Sequence, residues 1–369
     1  MSFLYKKYFK KTLIIFIISA FIFNLSGCKT TGDSPVSLTH FCFNTVIKIT
    51  IYEYAGESDK KDIINECFGL CNHFEKLFSK TIEESDISFI NQSKGKPCKV
   101  NHVVSDIIND SLEYSKISDG AFDISIGTLT KLWNMNSDSP SVPSEKEIRN
   151  ALKHVNYKNI GCDDEEVYLS DKNMKLDLGS IVKGFVADKL KSYMTAEGVS
   201  SAIIDLGGNI LTIGNKPDDT DFIIGIKNPF YNNKDIQPKN SLKTIDYNAN
   251  NDEYCAKLAI RDKSVVTSGI YERYFKENGK IYHHILNTKT GYPVENELVS
   301  VTILSTSSQD GDALSTTAFA LGLDKGISLI NRMDKTEAIF ITWDGQLHLT
   351  NGLEISEDKN IQLETTAEQ

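Results

Sequence analysis

A carboxylate, a run of free amides and an ammonium converge in one short stretch, residues 175–190 (KLDLGSIVKGFVADKL). The pattern predicts a short strand into Asp177, a tight turn at Gly179, and a helix starting near Ser180, whose hydroxyl suits an N-cap. Ile181, Val182, Phe185, Val186 and Leu190 then recur at helical spacing and give that helix a buried face. Asp177 stands at the strand end and Lys183 one turn into the helix. Such a helix end attracts a phosphate or a polar ring system. An ordinary βα unit with a capping acid and a surface lysine has the same pattern, so the stretch alone leaves both readings open.

Two further stretches carry chemistry. In residues 310–317 (DGDALSTT), Asp312 and Thr316 are four apart and share a face near the start of a helix. Two hard oxygen donors can hold Mg2+, which keeps positions open for water and substrate phosphates; an acid favourable to the helix dipole beside a solvated threonine looks the same. In residues 280–293 (KIYHHILNTKTGYP), His283 and His284 are neighbours on a strand and point to opposite faces, so only one can enter a given site. That histidine would be a general base or a phosphate contact, or else a buried structural residue. The chain has no G-x-S-x-G, P-loop or H-E-x-x-H pattern.

The elements that must position these residues alternate between hairpins and helices. Residues 41–54 read as one strand, 58–78 as a long amphipathic helix, 85–91 as a short capped helix and 101–117 as another helix. Residues 120–123 (GAFD) form a turn, followed by an apolar stretch to Trp133 and a helix over 144–152. Strands are expected at 201–206 and 210–213 around the Gly207-Gly208 turn, and at 256–260, 265–267 and 299–304. Helices at 310–321 and 325–333 and a hairpin at 338–349 complete the chain, with 231–253 as a surface excursion. This order predicts an α+β fold with mixed, mainly antiparallel sheets and packed helices.

With 369 residues, 40% hydrophobic and 24% charged, the chain can bury a full-sized core. Its net charge of −10 argues against a nucleic-acid partner. The N-terminus has a different logic. Lys6, Lys7, Lys10 and Lys11 precede an apolar run over 13–23, and Leu25-Ser26-Gly27-Cys28 closes it. The run is short for a membrane span and fits a signal peptide. L-S-G-C resembles a bacterial lipobox, which makes Cys28 the expected lipidation site. The expected organisation is a signal peptide (1–27), a tether (28–40), one domain (41–353) and a charged tail (354–369). The other six cysteines show no C-x-x-C pairing, so a zinc site is not expected.

DLGSIVKGFVAD, AIIDLGGNI, TSGIYERYF, YHHILNTKTGYP and DALSTTAFALG occur here in the order and spacing of the FAD:protein FMN transferase family, the ApbE-type flavin transferases. GAFDISIG and FNTVIKITIY also resemble that family's stretches, so the resemblance covers about residues 41–349. It implies an ApbE-like, T-fold-related architecture. It also implies an enzyme that uses Mg2+ to move the FMN moiety of FAD onto a Thr or Ser hydroxyl of a protein, releasing AMP. Some members resemble FAD pyrophosphatases instead, with water as acceptor, and a non-catalytic flavin-binding lipoprotein is a third reading. The partner implied is a flavin-accepting membrane redox subunit, reached by an extracytoplasmic enzyme lipid-anchored to the bacterial cell membrane.

By motif position, the resemblance implies that Phe43, Ala121, Phe122, Asp123, Asp177, Lys183 and Ile285 line the FAD site. It places the metal at Asp312, Thr316 and an oxygen of Ser180, and makes His284 the candidate base with Asp123 behind it. The chain departs from the family at Phe43-Asn44-Thr45, where Met-Gly-Thr is favoured, at Thr81, where an aromatic is frequent, and at Lys183, where other members carry Glu.

Overall fold

The computed structural model describes residues 34–239, 252–355 and 360–363. Cys28 and the leader lie outside them, as do residues 240–251 of the expected excursion. From Pro35 onward the chain forms one unit, and among its described residues no helix is long and apolar enough to cross a membrane.

The chain enters regular structure earlier than expected. β1 (Val36–Cys42) and β2 (Thr45–Tyr54) form a hairpin in place of a single strand. Phe43 and Asn44 make its two-residue loop, both at positive φ (53° and 56°), as a hairpin loop that follows strand twist requires. Alternation on β2 turns Ile47, Ile49 and Ile51 inward. Helix α1 (Lys60–Phe78) follows, capped by Asp59, and buries Ile63, Ile64, Cys67, Phe68, Cys71, Phe74 and Phe78 at helical spacing. Then come α2 (Asp86–Gln92), β3 (Cys98–Lys99), α3 (His102–Ile117), α4 (Gly127–Trp133) and α5 (Glu145–Leu152), the last opened by a Ser144–Glu147 capping box. The hairpin β4 (Ile160–Asp163) and β5 (Glu166–Leu169) pairs with β3 in a small sheet.

Helix α6 (Val182–Ala196) leads into β6 (Val199–Leu206) and β7 (Asn209–Ile213). β8 (Phe222–Lys227), β9 (Tyr254–Ile260), β10 (Ser264–Gly269), and the hairpin β11 (Tyr274–Glu277) and β12 (Lys280–His283) come next. β13 (Leu298–Ser305), α7 (Ser308–Leu321), α8 (Leu323–Ile330), β14 (Glu337–Thr342) and β15 (Leu347–Leu349) then follow. The main sheet has the order β1-β2-β6-β7-β10-β13-β14-β15 and is antiparallel throughout. β13 is buried along its whole length, and α6 and α7 pack together against β6, β7, β10 and β13. The expected tail contributes structure: β16 (Leu353–Ile355) and β17 (Asn360–Leu363) form a hairpin, and β17 pairs in parallel with β9. The α+β class and the mainly antiparallel pairing are therefore as the sequence predicts.

Candidate active site

The site is built around the start of α6, and its cap differs from the expected one. The helix begins at Val182 with Ile181 at the cap position and no side-chain cap bond, so Ser180 does not cap it. Ile181 and Val182 both donate to the Leu178 carbonyl, which closes the preceding turn and leaves Ser180 ahead of the helix. The acceptor at this helix end comes from α7: Asp312 Oδ2 takes the Gly184 N–H at 3.0 Å, and the Lys183 N–H also bonds to it. A carboxylate is the stronger partner for helix-end amides than a hydroxyl.

The arrangement is reciprocal. Asp188 of α6 accepts from Ser308 N (2.9 Å), Gln309 N (2.9 Å) and the Ser307 hydroxyl (3.2 Å) at the start of α7. Each helix thus caps the other with an acid. They approach closely because Gly184 has no side chain; a Cβ there would sit 2.1 Å from the Ser308 carbonyl oxygen. Burial pushes the Asp188 and Asp312 carboxyls up from the usual range, opposed in Asp312 by Lys183, the two helix-end N–H groups and Arg273.

Asp312 is buried. One turn on, the Thr316 hydroxyl meets the Ser268 hydroxyl of β10 at 3.1 Å, and Ser268 also meets Ser315 at 2.8 Å. Among the described residues no group of three His, Cys, Asp or Glu side chains could hold a metal. A carboxylate oxygen and a hydroxyl on one helix face nevertheless fit Mg2+, which takes few protein oxygens and completes its shell with water and phosphate.

Asp177 is anchored from three sides. Its carboxylate accepts from Thr130 Oγ1 (2.7 Å) and Gly179 N (3.0 Å) and pairs with Lys80. Burial alone would raise this carboxyl; the Lys80 ammonium and the hydrogen bonds outweigh it and hold it below the usual carboxylate range. The expected strand before it is reduced to a bridge between Lys175 and Ile126, with Asp177 N donating to the Ile124 carbonyl. The end of α1 ties in the hairpin tip as well, since Glu75 accepts from Phe43 N at 2.8 Å.

The GAFD turn offers mainly backbone. Phe122 is buried against Tyr114, and Asp123 accepts from Ser125 N (2.7 Å), Ser125 Oγ (2.6 Å) and Tyr157 N (2.8 Å). Those bonds tie its carboxylate to the local turn. Ala121 lines a cleft of about 470 Å3 with Asn287, Thr288 and Lys289, a cleft that none of Asp177, Lys183, His284, Asp312 and Thr316 lines. Thr288 Oγ1 donates to the Gly120 carbonyl at 2.6 Å and joins the two loops.

The two histidines part as strand geometry requires. His283 is buried; its Nε2 donates to the Val294 carbonyl (2.9 Å) and its Nδ1 accepts from Ile285 N (3.3 Å), which makes it structural. Ile285 is buried beside it. His284 turns the other way, where Nδ1 meets the Arg273 carbonyl at 3.2 Å. A carbonyl only accepts, so Nδ1 carries the proton and Nε2 has a free lone pair. Burial, then Arg273, His283 and Lys183, lower its pKa to about 3, so the ring is neutral near pH 7.

The structure thus brings Ser180, Lys183, His284, Asp312 and Thr316 to one helix end, with Asp177 at the turn before it. Phe43 stands on the β1–β2 loop, tied to Glu75, and Ala121 and Phe122 on the GAFD turn, whose cleft the residues at the helix end do not line. Sequence reasoning missed Lys80, Thr130, Asp188, Ser268 and Arg273. Asp188, Ser268 and Arg273 lie inside the motifs DLGSIVKGFVAD and TSGIYERYF, whereas Lys80 and Thr130 had no such signal.

Residues 43–340 match the family model described as the ApbE family. The FAD:protein FMN transferase of Klebsiella pneumoniae is 35% identical over 297 residues, 80% of this chain and 86% of the relative. That of Treponema pallidum is 29% identical over 365 residues, 93% of this chain and 96% of the relative. The crystal structure of the ApbE protein from Thermotoga maritima superposes with a TM-score of 0.75 at 27% identity, covering 86% of this chain and 97% of that one.

Proposed function

The chain belongs to the ApbE family, and from that premise we propose that it transfers the FMN moiety of FAD to a Thr or Ser hydroxyl of a membrane-associated redox protein, releasing AMP. The observation that carries this reading is the start of α6, where Asp312 accepts the Gly184 N–H and the Lys183 charge acts on both Asp312 and the His284 ring. The Lys183 ammonium at the positive end of α6 favours the FAD pyrophosphate, and the Asp312 carboxylate and the Thr316 hydroxyl would hold Mg2+. When bound, Mg2+ neutralises phosphate charge and aligns the phosphorus.

The protein's own residues then account for the proton and the geometry. The acceptor hydroxyl attacks the phosphorus of the FMN half, the bond to the AMP oxygen breaks, and AMP leaves with that electron pair. Nε2 of His284 takes the hydroxyl proton while the Arg273 carbonyl holds Nδ1–H. A bound pyrophosphate beside the ring favours imidazolium and raises its basicity. The Lys183 ammonium stabilises the charge on the transferring group, and positioning supplies most of the remainder.

The leader supports an enzyme held by a lipid on Cys28 at the outer face of the bacterial cell membrane, within reach of a membrane-bound acceptor. The test is incubation with FAD, Mg2+ and a protein bearing a candidate acceptor Thr, followed by mass spectrometry and chromatography. FMN on the acceptor with AMP released supports the transferase. AMP and free FMN without labelling of any acceptor tried favours hydrolysis, and FAD binding with no products favours a flavin carrier. A His284→Ala variant is expected to bind FAD yet turn over about a hundredfold or more slowly.

A further inference from the structure

The open face of α7 continues past the site. Within residues 311–320 only Thr316 and Ala320 are partly exposed, and the others are buried. They stand one turn apart on the same face. Ala320 lines the cleft of about 470 Å3 beside the GAFD turn, which extends between residues 117–121, the loop of residues 287–289 and α8. Its walls are fixed. Thr288 Oγ1 ties to the Gly120 carbonyl at 2.6 Å, Asn287 Oδ1 accepts from Lys289 N at 2.8 Å, and Asn296 Nδ2 donates to the Phe319 carbonyl at 2.7 Å.

The cleft differs in charge from the rest of the chain. Ile117, 46% exposed, and Leu329 give it apolar surface. Lys325, Ser328 and Arg332 follow one line down α8 and onto the turn after it, at i, i+3 and i+7. On the facing loop Lys289 pairs with Asp119 at 3.4 Å, and Asp324 sits in the first turn of α8, where the helix dipole favours an acid. The Lys325 and Arg332 side chains have no partner among the described residues. Three cations less two acids leave this cleft at +1 in a chain of net charge −10. A second cleft of about 360 Å3, beside the start of α7, has the opposite sign, with Asp106, Asp110 and Asp188 against Lys189.

We propose that the cationic cleft docks the acceptor protein, and that its occupant is an extended acidic segment of that protein leading to the acceptor hydroxyl; this deepens the flavin-transfer reading and rests on it. Lys325 and Arg332 take carboxylates of the segment, and Ile117 and Leu329 pack an apolar side chain beside them. The net charge of this chain repels an acidic partner, whereas the cleft attracts it, so charge selects the docking face. From Ala320 back to Thr316 the helix rises about 6 Å, the length of about two extended residues, so a segment held in the cleft reaches the site. A nucleotide is the poorer occupant, because no aromatic ring among the described residues lines the cleft to stack a base.

The experiment measures FMN transfer by the full chain in detergent, with FAD and Mg2+, to a peptide centred on the Thr or Ser found labelled in the acceptor. A second peptide has its Asp and Glu replaced by Asn and Gln. In the double variant Lys325→Gln, Arg332→Gln the KM for the first peptide is expected to rise about three- to thirtyfold at low salt, with the KM for FAD within about twofold. The neutral peptide is expected to show the raised KM already with the unaltered protein, and no further rise with the variant. An unchanged peptide KM, or a labelled segment without acids, overturns the proposal and leaves flavin transfer standing. A raised KM for FAD with the peptide KM unchanged assigns the cleft to the nucleotide and also overturns it. So does an equal loss with both peptides, which assigns the two residues to the scaffold. If the unaltered protein labels no acceptor, the transfer reading falls and this one with it.

Discussion

Asp312 accepts the Gly184 N–H at 3.0 Å, so the proposed metal ligand of α7 is also the cap of α6. Asp188 returns the arrangement by capping α7 at Ser308 and Gln309. The two helices fix each other end to end, and the proposed metal and phosphate sites cannot shift independently. A ligand that draws on Asp312 acts on the amides that open α6.

The two roles of Asp312 can be separated by variant. Asp312→Ala is expected to abolish Mg2+-dependent turnover and to lower stability by about 1–2 kcal/mol through the lost cap. Asp312→Asn retains an acceptor for Gly184 N, so it is expected to recover most of that stability and little of the turnover. Denaturant unfolding and AMP release, measured on both variants, check this. Equal stability of the Ala and Asn variants would remove the capping role.

Asp188→Ala takes the partner from the first amides of α7, with an expected loss of about 1–2 kcal/mol. Because Asp312 and Thr316 ride on that helix, the Mg2+ concentration for half-maximal turnover should also rise. A stability loss with an unchanged Mg2+ requirement would confine Asp188 to the fold.

Two glycines predict opposite outcomes for one substitution. Gly184→Ala puts a methyl 2.1 Å from the Ser308 carbonyl oxygen, and a backbone atom cannot swing aside. The helices must part, at an expected cost of about 1–3 kcal/mol and with a fall in turnover. Gly69, inside α1, has nothing within 4 Å of an added Cβ. Gly69→Ala is expected to stabilise by about 0.5–1 kcal/mol and leave activity unchanged. Thermal unfolding of the pair gives the comparison.

His283 makes the fold acid-sensitive. Burial lowers its pKa to about 4, against about 6.5 in an unfolded chain. Between those values the unfolded state binds more protons, so stability is fully present above about pH 6.5 and is lost as pH falls toward 4. The expected loss from this residue is about 2 kcal/mol between pH 7.5 and pH 5. His283→Gln should reduce the acid-side slope of denaturant stability, and an unchanged slope would rule out this origin.

Much of the site was legible because its signals are local. The helix of residues 58–78 appears as α1 (Lys60–Phe78) since its apolar residues recur at one period. His283 and His284 part to opposite faces because strand side chains alternate. The hairpin at Phe43-Asn44 was hidden because its loop residues need positive φ without being glycine, so β1 and β2 read as one strand.

The sequence by itself determined the order of the chemical residues, the helical faces that bear them and, through five ordered motifs, the family. Tertiary structure decided which group each of those residues meets. Ser180 looked like the cap of α6, yet the acceptor is Asp312, 128 positions away from Gly184. Asp177 looked free for a ligand, yet Lys80, 97 positions earlier, holds it. Propensity and periodicity act over a few residues, whereas a buried carboxylate takes whichever cation or amide the packed helices bring to it. The chemistry was therefore written in the chain, and its partners were set by packing.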